Sequence, residues 1–272
     1  MNFKNRLVEH ALENGFLDLK IAGAFPLDEE FVYFKQWLES GYHADMSYLE
    51  RNTGKRSDVG KVLEKAKSVI VLSHPYFPDN SDYIPKKLKY EGKIALFAKG
   101  RDYHKVIYKK LCKVAKLTTE IHPDSQYKCY VDTGPILEKQ WAVRSGIGWQ
   151  GKNSLINNRK YGSYFFIGII ITTLELEPDK PIKDYCGTCT KCLDACPTKA
   201  IVEPKVIDAR RCISYWTIEC KSDTMPEEIR KNLSGWAYGC DICQDVCPWN
   251  KISRQKSEDR RQKLAKSNIL KD

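Results

Sequence analysis

Residues 185–200 read YCGTCTKCLDACPTKA. Cys186, Cys189, Cys192 and Cys196-Pro197 follow C-x2-C-x2-C-x3-C-P, a spacing that holds [4Fe–4S] clusters. Three closely spaced thiolates take three corners of a cubane. The fourth, set one residue further on, serves a neighbouring cluster. The same template laid on Cys247-Pro248 finds Cys243 and Cys240, but Ala237 stands where a further cysteine is required. The crossing rule gives Cys186, Cys189 and Cys192 the thiolate of Cys247 as their fourth ligand. Cys240 and Cys243 take Cys196 and still need one more. Cys212 and Cys220 are both near enough, and spacing does not choose between them. Two zinc sites are the competing reading. Zinc sites pair one C-x2-C with a distant C-x2-C, whereas a triple run closed by C-P and nearly repeated is far more specific to cubanes. Cys112 and Cys129 lie in apolar helix and strand patterns and read as core thiols.

The rest of the composition fits a globular chain. It has 272 residues, of which 42% are hydrophobic and 29% charged. No run reaches the ~20 apolar residues that span a bilayer. The N-terminal sixteen residues carry charges throughout and read as an amphipathic helix rather than a signal peptide. A cytoplasmic monomer with no membrane association is expected. In a reducing compartment eleven cysteines are metal ligands before they are disulfides. A formal net charge of +10 suits a polyanionic partner such as RNA.

Clusters move single electrons, so another part of the chain has to use them. Residues 1–180 read as α/β. SVIVLS (residues 68–73) is a buried strand, and residues 102–121 have helical apolar spacing. KCYVDTGPI (residues 128–136) is a strand ending near Asp132, followed by a helix stopped at Gly146. YFFIGIIITTL (residues 164–174) is a central strand. LEPDKPIKD (residues 176–184) marks a boundary, residues 181–250 hang on cysteines, and residues 251–272 form a basic tail. GIGWQGKN (residues 146–153) nearly matches a phosphate loop. It is rejected because Asn153 replaces the magnesium-binding hydroxyl and no strand precedes it.

VDTGPILEKQWAVRSGIGWQGKNSLI, GSYFFIG, the cysteine run and RCISYWTIE resemble the epoxyqueuosine reductase family, as do KRSDVGKVLEKAKSVIVLSHPYFP and AKGRDYH upstream. The resemblance covers roughly residues 1–250. It implies a cobalamin-dependent enzyme with two [4Fe–4S] clusters. Such an enzyme reduces epoxyqueuosine in the tRNA anticodon loop to queuosine, with electrons from an external donor. It implies a nitroreductase-like cobalamin domain followed by a ferredoxin-like domain, and it makes Cys212 the eighth ligand and Cys220 spare. Asp132 in VDTGP becomes the proton donor. Arg56 in KRSD, Lys152, Asn153 and Ser154 in GKNS, and Ser214 in CISY become cobalamin contacts. Bland alternatives stand beside two of these: Asp132 as a helix cap and Arg56 as a solvated surface charge.

DYHKVI (residues 102–107) begins like the histidine-ligating motif D-x-H-x-x-G but has Ile107 at the glycine position, so cobalt ligation by His104 is not expected. The family usually continues into a helical-repeat domain, and the chain reads as a short member lacking it. A corrinoid reductase of another small substrate and an electron-transfer protein are the competing functions.

Overall fold

The computed structural model describes residues 3–76 and 92–251. The expected basic tail, residues 251–272, lies outside the described residues apart from Lys251. β1 (Asp18–Gly23), β2 (Ser68–Pro75), β7 (Phe165–Thr172) and β4 (Tyr127–Tyr130) form one sheet in that order, and every pairing is antiparallel. Antiparallel strands usually alternate apolar and polar residues because one face is wet. Here both faces are covered. Val69, Val71, Ile169 and Ile171 enter one core, while Ile70, Leu72 and Ile170 enter the other. That double burial is why residues 68–73 and 164–174 read as unbroken apolar runs.

The first core is closed by Trp141 and Ala142 of α5 (Glu138–Ser145), with Leu27, Val59 and Val62. The second is closed by Leu7 and Ala11 of α1 (Phe3–Glu13) and by Ile107, Leu111, Val114 and Ala115 of α4 (Tyr103–Ile121). These α4 residues form one stripe of the helix. Gly168 lets α4 approach closely: a Cβ there would stand 2.8 Å from Cδ2 of Leu111.

The remaining elements frame the site. α2 (Asp28–Glu39) and α3 (Thr53–Ser57) precede β2, and β3 (Lys93–Ile94) precedes α4. β5 (Trp149–Gln150) and β6 (Ile156–Asn157) pair around the GKNS turn. Then come α6 (Lys191–Ala195), the β8 (Ile201–Glu203) and β9 (Val206–Ile207) hairpin, α7 (Glu227–Lys231), β10 (Trp236–Tyr238) and α8 (Ile242–Asp245).

Packing crosses position 180 freely. β3 pairs with β10, and Ala95 shares a small core with Ile213 and Trp236. The Trp37 indole donates to the Ile207 carbonyl at 2.7 Å, and the Asn250 amide donates to the Ser163 hydroxyl at 2.9 Å. Among the described residues no helix is long and apolar enough to cross a membrane.

The all-antiparallel sheet makes the fold α+β. The strand expected to end near Asp132 ends slightly earlier. β4 stops at Tyr130, and Asp132 lies two residues beyond it in a turn with φ +61°.

Candidate cluster and catalytic site

α6 packs against α8, which brings the two cysteine runs together. Cys186 and Cys247 both lie close enough to Cys192 for a thiolate on either to act on it, and Cys186 and Cys189 act likewise on Cys247. Cys196 and Cys212 act on Cys240, and both, with Cys240, act on Cys243. The chain therefore gathers Cys186, Cys189, Cys192 and Cys247 into one group and Cys196, Cys212, Cys240 and Cys243 into another. Cys192 also acts on Cys243, so the groups are neighbours. Cys220 stands apart, beside Tyr215 and the backbone of Ser222.

Burial raises the pKa of Cys212 and Cys247, of Cys192 to about 11, of Cys240 to about 12 and of Cys243 well above the usual range. Buried thiolates need compensating positive charge, which iron supplies. Among the described residues no three His, Cys, Asp or Glu side chains converge tightly enough for a single metal ion. A cubane instead spreads its four thiolates over the corners of a larger cage. The donor set therefore fits two clusters.

Asp132 is exposed, and two side chains from the start of α4 reach it. The Tyr103 hydroxyl donates to Oδ2 at 2.6 Å, and His104 Nε2 lies 3.3 Å from the same oxygen. His104 Nδ1 lies 3.0 Å from Asp102, so both ring nitrogens face carboxylates. The Asp132 amide donates to the Glu138 carboxylate at 2.6 Å. Asp132 does not cap α5, whose N-cap is Leu137. Burial raises the pKa of Glu138 to about 8, and the Asp132 charge adds to the effect. Desolvation lowers the pKa of Lys139, while Asp132, Cys243, Glu138 and Cys212 act to raise it. Lys139 therefore lies within electrostatic reach of both Asp132 and the second cysteine group, which suits a cofactor that must meet both.

The other expected contacts make their bonds within the chain. Arg56 is buried, not a solvated charge; its guanidinium donates to the carbonyls of Tyr48 at 3.1 Å and Arg51 at 3.3 Å. It thereby carries Tyr48, whose pKa burial and the charges of Glu219 and Asp132 raise to about 12. Lys152 donates to the Gly187 carbonyl at 2.8 Å and Asn153 to the Cys243 carbonyl at 3.3 Å. Both brace the GKNS turn against the cysteine region. Ser154 adopts φ +61° and accepts from Gln150 at 3.0 Å. Backbone amides of Ser214 and Tyr215 point at the Cys212 sulfur. Sequence reasoning missed Tyr103 and Glu138. The only signal for either was its place inside a quoted motif, AKGRDYH or VDTGPILEKQ.

An α+β domain packed against two adjoining four-cysteine groups defines an iron–sulfur protein of the redox class. Residues 185–250 match the family described as "4Fe-4S double cluster binding domain", and residues 56–133 match "Epoxyqueuosine reductase QueG, DUF1730". The chain belongs to the epoxyqueuosine reductase family. It is 46% identical to the epoxyqueuosine reductase of Synechocystis over 85% of this chain and 78% of that protein. A structure of epoxyqueuosine reductase with an epoxyqueuosine-modified tRNA-Tyr stem loop superposes at a TM-score of 0.82 with 35% identity, over 92% of this chain and 66% of that one. The same values hold for the Bacillus subtilis enzyme with its catalytic loop swung out of the active site. The family is cobalamin-dependent.

Proposed function

We propose that this chain reduces epoxyqueuosine to queuosine in the tRNA anticodon loop. The observation that carries the reading is that Lys139 lies within electrostatic reach of Asp132 and of Cys212 and Cys243, so that the expected acid and the second cysteine group serve one site. Cobalamin, when bound, supplies the reduced metal centre that opens the epoxide. The chain's own residues do the rest. The eight cysteines hold two [4Fe–4S] clusters that deliver electrons one at a time. Asp132 gives a proton to the alkoxide oxygen left by C–O cleavage. Tyr103 and Glu138 hold Asp132 from opposite sides, and His104, between Asp102 and Asp132, is placed to return a proton to it. Arg56, Lys152, Asn153, Ser154 and Ser214 border the cofactor and keep its walls in register.

In this reading residues 1–180 form the cobalamin domain, residues 181–250 the ferredoxin-like domain and residues 251–272 a basic tail that assists tRNA binding. The sheet covered on both faces supports the comparison of the first part with flavin nitroreductases. The protein works in the cytoplasm as a monomer, with an external electron donor. The test is anaerobic reconstitution with cobalamin, iron and sulfide, followed by mass spectrometry of epoxyqueuosine-containing tRNA. Loss of one oxygen from the modified nucleoside is expected, and unchanged tRNA would overturn the reading.

A further inference from the structure

The two cysteine groups face different surroundings. Cys212 and Cys243 act on Lys139, as does Asp132. The Cys186, Cys189, Cys192 and Cys247 group is approached instead from solvent, over the loop between its first two cysteines. Gly187 and Thr188 are exposed there, and a Cβ built on Gly187 would meet nothing within 4 Å. Behind the loop the group is walled by rings. The Trp149 indole N–H points at the Cys186 sulfur at 3.5 Å, and Trp149 meets both Tyr185 and Trp249 edge-on at 5.2 Å. Rings line this cysteine group, and the loop over it is exposed at Gly187 and Thr188.

Cations flank this end of the cluster pair. The Arg159 guanidinium stands 4.8 Å from the Tyr185 ring and the Lys183 ammonium 5.3 Å from it, so both rest on an aromatic face rather than on a carboxylate. Lys191 is exposed between Cys189 and Cys192. Asp184 accepts from the Cys186 amide at 2.7 Å and is paired with Lys205 at 2.9 Å, while Asp194, bonded to the Thr190 hydroxyl at 2.7 Å, keeps its charge and is outnumbered by the three cations. Like charges held together repel one another and attract a partner of opposite sign. Epoxide reduction needs two electrons, and these must come from outside the chain. An RNA lying on these cations would gain nothing from the cluster beneath them, whereas an electron carrier needs that approach.

We propose that the surface over Gly187 and Thr188, flanked by Arg159, Lys183 and Lys191, docks an acidic protein that carries a one-electron redox group at its surface. The proposal rests on the reading of Cys186, Cys189, Cys192 and Cys247 as ligands of a [4Fe–4S] cluster. Each encounter oxidises the carrier and reduces this first cluster by one electron. Two encounters supply one turnover, and the second cluster passes the electrons on towards the catalytic site. Encounter is steered by charge, so its rate falls as salt rises.

The test uses the reconstituted holoenzyme in anaerobic stopped flow, following cluster bleaching. The donors are a reduced plant-type ferredoxin, as the acidic carrier, and a small viologen radical. Arg159→Glu, Lys183→Glu and Lys191→Glu combined should slow ferredoxin-driven bleaching about ten- to a hundred-fold at low salt and flatten its salt dependence. The corresponding triple glutamine variant should show a smaller loss in the same direction. Viologen-driven bleaching, iron content and tRNA affinity should stay within about two-fold, as expected for rim charges that act on encounter alone. An unchanged ferredoxin rate would overturn the proposal, and loss of tRNA affinity in its place would make the patch an RNA surface. Wild-type protein holding only one cluster's iron, and bleaching correspondingly with viologen, would overturn the cluster reading itself.

Discussion

The hydroxyl of Tyr103 donates to Oδ2 of Asp132 across 2.6 Å, joining the first turn of α4 to the turn after β4. The phenol is fixed by stacking on Phe166 of β7, with ring centroids 4.0 Å apart and planes 9° from parallel. Asp132 itself sits at φ +61°, which costs a non-glycine residue about 1 kcal/mol. Its amide bond to Glu138 and its carboxylate bond to Tyr103 offset that cost. The carboxylate is therefore aimed by the sheet, α4 and α5 together.

Tyr103→Phe keeps the stacked ring and removes only the donor. A hydrogen bond to a charged group is worth about 1.5–3 kcal/mol. If it is spent on aiming Asp132, kcat should fall about ten- to a hundred-fold with KM and iron content little changed. Single-turnover formation of queuosine, read by mass spectrometry, measures it. An equal fall in cofactor binding would instead mark Tyr103 as a wall of the cofactor site.

Asp132→Asn is nearly isosteric and cannot give a carboxylic proton. Turnover should fall about 10²–10⁴-fold, the range of a general acid, while both clusters and cobalamin binding persist. Near-normal queuosine formation under saturating reductant would remove Asp132 from the chemistry.

Cys212→Ala should cost one cluster's share of iron and sulfide, because it leaves three protein thiolates around that cage. Cys220→Ala should cost none, since its sulfur sits beside the Ser222 amide, 3.4 Å away, and outside both groups. Anaerobic iron and sulfide analysis of the two variants decides, and equal losses would contradict the grouping.

Glu138 gives the fold a pH dependence of known sign. Its pKa is about 8 in the folded chain against the ordinary 4.5, so the native state binds the proton more tightly than the unfolded one. Stability from this group is full below about 4.5, declines as pH rises through the window to about 8, and is lost above it. Glu138→Gln removes the titration and can still accept from the Asp132 amide. Thermal melts of holoenzyme at pH 5, 7 and 9 should show the variant gaining on wild type as pH rises. Asp132→Asn should lower the upper edge of the window, because the Asp132 charge helps hold the Glu138 proton.

Leu111 is fully buried against Gly168 at the closest approach of α4 to the sheet. Leu111→Ala should destabilise the protein by about 2–5 kcal/mol, measured by urea unfolding of the cluster-loaded protein. A change under about 1 kcal/mol would mean that the helix collapses onto the gap.

The cysteine spacing by itself pointed to two cages, with Cys196 and Cys247 crossing between them, because the geometry of a cubane leaves few ways to place its ligands within eleven residues. The apolar runs likewise determined β2, β7 and α4, since burial on both faces of a strand or along one stripe of a helix is written directly in residue type. Sequence did not give the antiparallel order of the sheet or the bonds of Tyr103 and Glu138 to Asp132, and spacing alone did not separate Cys220 from the cages. Those depend on contacts between residues 6 to 29 positions apart, or farther, and a short polar side chain carries no periodic signal of the partner it will meet. Arg56 and Asn153 make the same point. Both look like surface or ligand-binding polar groups in the sequence, and only the packed chain shows their donors spent on backbone carbonyls. A buried polar atom must find whichever acceptor the fold leaves within about 3 Å of it, and that is decided when the elements pack.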